Sequence, residues 1–114
     1  RRFFYAEPTP LQVEKAKSYA TFKFGSEFSE SVYEELLSLI NPIQAEVLDL
    51  RYRRRYSDAD IAEYLNFESI QWVAKIADLA LHELVVITKN RYLARQFNAA
   101  AKSLFGVTDT SESG

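Results

Sequence analysis

Apolar residues recur along this chain every three or four positions, the period of a helix. Val32, Leu36, Leu37 and Ile40 share one face, and Ile43, Val47, Leu48 and Leu50 the next. Ile61, Ala62 and Leu65 make a short one, followed by Val73, Ile76, Ala77, Ala80 and Leu84, then by Leu93, Phe97, Ala100, Ala101 and Leu104. Start and stop signals fall between these faces. Thr9-Pro10-Leu11-Gln12 supplies a cap, a proline at the first helical position and a glutamine to close a capping box, predicting a helix to about Phe24 that stops at Gly25. A second helix begins near Ser29. Asn41-Pro42-Ile43-Gln44 repeats the start signal for a third that ends around Tyr52. Ser57 caps a fourth with Asp60 at the box position, and Asp58 and Asp60 suit the positive helix end.

Asn66 takes the left-handed conformation that closes a helix, and Phe67 plugs the turn. A fifth helix starts at Glu68 or Ser69. The β-branched run Val85-Val86-Ile87-Thr88 predicts a break, after which Asn90 caps a sixth helix ended by Gly106. The expected fold is all-α, with five to six short helices. Its segments are an aromatic N-terminal stretch (1–8), a helical pair (9–40), a central unit (41–87), a C-terminal helix (88–106) and a polar, acidic tail (107–114) expected to be flexible.

Composition narrows the class. The chain has 114 residues, 47% hydrophobic and 26% charged, ordinary for one globular domain. It has no cysteine, hence no disulfide framework or thiolate metal site, which fits a cytoplasmic protein. No run approaches the roughly 18 apolar residues that span a membrane. The first residue is Arg1 and not methionine, which suggests a processed, tagged or cut N-terminus. Net charge is −2 and the pI about 5.4. A dedicated DNA-binding domain is usually basic, so nucleic-acid binding here depends on clustering.

The clustering is at "RYRRRYSDADIAEYLNFESIQWVAKIADL", Arg51 to Leu79. Ile61, Ala62, Leu65, Asn66 and Phe67 give the apolar, small, apolar, turn, apolar order of a helix-turn-helix. The commoner spacing would bury Trp72 and Lys75. A turn one residue longer buries Val73 and Ile76 instead and sends Trp72 outward. "NPIQAEVLDLRY", then "YSDADIAEYLNF", then an amphipathic helix resemble region four of the sigma-70 family and, more closely, sigma-like phage late-operon regulators of the ArpU type. The resemblance covers Asn41 to about Leu84. It implies a promoter-binding transcription regulator of phage or mobile-element origin, whose second helix enters the major groove while the first grips phosphate.

On that reading the DNA-binding residues are Arg53, Arg54, Arg55, Ser69, Gln71, Trp72 and Lys75. Gln71 suits an adenine edge, Lys75 guanine or phosphate, and Trp72 a thymine methyl or a protein interface. The alternatives are a solvated arginine loop paired with Asp49, Asp58 or Asp60, and a Trp72 buried against Phe67, Ile61 or the aromatics of the N-terminal stretch. Asp78, one turn on, opposes phosphate. Lys89, Arg91 and Arg95 form a possible second phosphate track, or a solvated face. Leu93, Phe97 and Leu104 line a stripe that is either core or a dimer interface. His82, the single histidine, reads as a surface residue. No paired acids, nucleophile–base pair, metal-ligand cluster or glycine-rich phosphate loop is evident, so neither an enzyme nor a cofactor is implied. Expected partners are double-stranded DNA and, if the Leu93 stripe is an interface, a second copy of the chain. A protein-binding module on the same scaffold, contacting RNA polymerase, a sigma factor or a host regulator, is the rival, and a phage packaging or virion component a third reading.

Overall fold

The computed structural model describes residues 9–17, 19 and 27–106. The expectations for residues 1–8, the approach to Gly25 and the tail 107–114 lie outside them. The fold is all-helical, without strands among the described residues: α1 (Pro10–Lys17), α2 (Glu30–Leu37), α3 (Pro42–Tyr52), α4 (Asp58–Tyr64), α5 (Gln71–Thr88) and α6 (Leu93–Phe105). The caps form as the side-chain chemistry dictates. Thr9 Oγ1 accepts from Gln12 N at 3.2 Å while Gln12 Oε1 accepts from Thr9 N at 2.8 Å, a reciprocal capping box. Ser29 and Ser57 hydroxyls accept from Val32 N and Asp60 N, and Asn41 Oδ1 from Ile43 N. Gln44, expected to close a second box at Asn41, is instead buried.

α5 is the axis of the molecule and packs against α1, α3, α4 and α6. It buries Val73, Ile76, Ala77, Ala80 and Leu84, the face its period marks. Two alanines there let neighbouring helices approach closely. Phe97 of α6 fills the other end of the core. Its ring stacks on Tyr33 of α2 at 5.7 Å, meets Phe28 edge-on at 6.0 Å and lies 6.2 Å from Tyr52 of α3.

Three expectations are corrected. α1 ends at Lys17, where Tyr19 N–H donates back to Ala16 O in a tight turn. The β-branched run does not break α5, which continues through Val85, Val86 and Ile87 to Thr88. Val85 and Ile87 pack on the core, and the buried Thr88 hydroxyl donates to Leu84 O at 2.7 Å. Tertiary packing there outweighs a propensity cost of a few tenths of a kcal/mol per residue. The helix stops instead at Lys89, left-handed at φ 59°. Asn90 caps a turn through Tyr92 N, and α6 begins only at Leu93.

Candidate nucleic-acid interface

α4 closes in a Schellman arrangement. Asn66, at φ 61°, is the left-handed residue; Phe67 N–H reaches Ala62 O at 2.7 Å and Asn66 N–H reaches Glu63 O at 3.2 Å. Phe67 packs against the core from the turn. Ser69 Oγ then accepts from Gln71 N at 3.1 Å and sets the first turn of α5. Val73 and Ile76 are fully buried, which is the longer-turn register. The opposite face carries Gln71, Ala74, Lys75 and Asp78, all exposed, with Trp72 at its edge, 37% exposed. Ile70 and Leu79 are also exposed beside it. An open groove of about 340 Å³ adjoins the turn, lined by Pro42, Ile43, Glu46, Leu65, Asn66 and Phe67.

The arginines after α3 do not act as one group. Arg53 turns inward: Nη1 donates to Glu30 and Glu34 of α2, each at 3.0 Å, and Nε to Asp49 at 3.0 Å. Its guanidinium also lies 5.9 Å from the centroid of the Tyr33 ring. Hydrogen bonds to Glu30 and Glu34, with the charge of Asp49, raise its pKa further above the ordinary arginine value. Asp49 also accepts from the Tyr33 hydroxyl at 3.1 Å, and burial with that carboxylate pushes the phenol well above its ordinary value. Arg53 is therefore a tie between α2 and α3, and its expected role as a phosphate contact is displaced by three carboxylates.

Arg54 is exposed and only loosely paired, 3.9 Å from Asp49. Arg55 is exposed and left-handed at φ 58°. Sequence reading left Arg51 without a role. It holds Asp58 through two hydrogen bonds of 3.1 and 3.2 Å and so fixes α3 to the head of α4. A seven-residue separation between an arginine and an aspartate across a predicted loop was the available signal.

Lys89, Arg91 and Arg95 are all exposed. The proposed dimer stripe is corrected: Leu93 and Phe97 are fully buried inside the fold, leaving only Leu104 at the surface, 39% exposed. They cannot be offered to a partner without opening the core. His82 is exposed, while its neighbour Glu83 is 6% exposed, and burial raises its carboxyl pKa. Among the described residues no group of three or more His, Cys, Asp or Glu is placed to hold a metal ion. No helix among them is long and apolar enough to cross a membrane. No protein-family model matches the chain, and no curated protein or solved structure matches it.

Proposed function

We propose that this chain is a DNA-binding transcription regulator of the phage late-operon kind, acting in the cytoplasm through a helix-turn-helix formed by α4, the Asn66 turn and α5. The single observation that carries the reading is the register of α5. Burial of Val73 and Ile76 behind a left-handed Asn66 leaves Gln71, Trp72 and Lys75 together at the exposed head of the helix. A helix presented this way enters a major groove by its N-terminal residues. Gln71 then bonds an adenine edge, Lys75 a guanine or a phosphate, and Trp72 packs on a thymine methyl. Arg54 and Arg55 supply phosphate contacts, while Arg53 holds the scaffold. Sequence discrimination is modest, since Asp78 sits one turn beyond Lys75.

The test is binding to a nonspecific duplex at low salt, comparing the wild type with Arg54→Glu/Arg55→Glu. Each phosphate contact contributes about 0.9 to the slope of log affinity against log salt, so the double variant should lose about 1.8 of that slope. Arg53→Ala should lower the melting temperature and leave the slope in place. Absence of duplex binding by the wild type removes the proposal. A second reading, a protein-binding module contacting RNA polymerase or another transcription protein, is favoured by one observation: Ile70 just before α5, and Trp72 and Leu79 on it, are exposed.

A further inference from the structure

Charge is segregated along this chain. From Leu84 to Gly106 it carries Lys89, Arg91, Arg95 and Lys102 and not one aspartate or glutamate, although acidic residues outnumber basic ones by 16 to 14 overall. Several basic side chains earlier in the chain are met by acids: Arg51 by Asp58, Arg53 by Glu30, Glu34 and Asp49, Lys15 by Glu35. No ion pair engages Lys89, Arg91 or Arg95 among the described residues, and all three are exposed. A merely solvated helix face in an acidic protein would interleave both signs.

The cations are also aligned. Arg95 and Lys102 lie seven residues apart on α6, a spacing that returns a helix to the same face, and Arg91 stands in the turn just before it. That face points away from the one burying Leu93, Phe97 and Ala101. It ends at Gly106, left-handed at φ 75°, where a Cβ would lie 3.5 Å from Arg55 Nη2. The last turn of α6 is the negative end of its dipole, which favours a cation there. The C-terminal end of α6 thus adjoins Arg55. At 1.5 Å per residue the helix is about 20 Å long, the rise of about six phosphates on one strand of a duplex.

We infer that this ridge, from Arg91 through Arg95 and Lys102 to Arg55, is a second DNA-contacting surface that grips backbone phosphate without reading bases. The inference rests on the DNA-binding reading and extends it: the head of α5 selects sequence, and the outer face of α6 anchors the duplex. Phosphate contacts of this kind fix register and supply affinity on every sequence alike.

The experiment compares the full chain with Arg91→Gln/Arg95→Gln/Lys102→Gln, and with the exposed pair Arg91→Gln/Arg95→Gln as a variant that leaves half-buried Lys102 in place. Duplex affinity is followed between about 50 and 200 mM salt, with melting temperature as the folding control. The triple variant should lose about 2.7 of the salt slope and the double about 1.8, equally on all sequences and with sequence preference kept. Wild-type binding with an unchanged slope in both variants overturns the ridge and leaves the α5 reading intact. No duplex binding by the wild type overturns both. Loss of polyglutamate binding in the variants with an unchanged duplex slope assigns the ridge to an acidic protein and overturns the inference as well.

Discussion

At the scale of single residues, the least comfortable group in this protein is Glu83. It sits on α5 almost out of solvent, and burial raises its carboxyl pKa while neighbouring His82 offsets part of that. A carboxyl whose folded pKa exceeds its unfolded one binds more protons in the folded state between those two values. Stability contributed by the neutral acid is therefore present below the unfolded pKa and lost as pH rises through the folded one. Glu83→Gln removes the charge and keeps the shape. Thermal melts across pH should show the variant more stable than wild type at pH 7, with the gain shrinking as pH falls into the ordinary carboxylate range near about 4.3. A gain that stays constant over that range would contradict the assignment. Arg53 illustrates the opposite situation, a half-exposed charge with three partners, which is why its place in the "RRR" run misleads when read as an unpaired cation.

At the scale of elements, α5 shows how packing overrides propensity. Val85 and Ile87 are partly buried against the core, whereas Val86 between them is 49% exposed. The three positions carry the same intrinsic penalty and differ only in contacts. Val86→Ala should leave stability unchanged or raise it by about 0.5 kcal/mol through better helix propensity. Val85→Ala should cost about 1–2 kcal/mol in lost burial. Urea denaturation of the pair distinguishes the two effects, and equal responses would mean that packing does not sustain the last turn of α5. The turn at Asn66 works by a different device, backbone conformation closed by two hydrogen bonds, which is why a single asparagine marks it in sequence.

Across the whole molecule, Phe97 joins segments far apart in the chain. Its contacts reach Phe28, Tyr33 and Tyr52, so this fully buried side chain ties α6 to α2 and α3, alongside the Phe105–Tyr33 ring contact and the Tyr52–Asn98 hydrogen bond. Phe97→Ala should cost about 3–5 kcal/mol, a large share of the 5–15 kcal/mol typical of a domain. The loss should appear as a single cooperative transition at lower denaturant. A separate early melting of α6, followed by near-native unfolding of the remainder, would show that the helix is an appendage. The same burial withdraws Leu93 and Phe97 from any interface between copies, and leaves charge as the dominant feature of the outer side of α6.

Much of this architecture was legible in the residues because it is local. Caps at Thr9, Ser29, Asn41 and Ser57, the left-handed Asn66 and Gly106, and the buried face of α5 follow from side-chain reach and helical period, which act within a few positions. The exposed head of α5 was legible too, since Val73 and Ile76 fit burial and Lys75 does not. Tertiary structure alone decided the rest. Arg53 was claimed by Glu30 and Glu34, some twenty positions earlier in the chain, and Leu93 and Phe97 were claimed by the core. The β-branched run was kept helical by contacts that no window of sequence contains. Period and capping are properties of one segment, whereas the partner of a charge or a ring is set by which segments fold against each other.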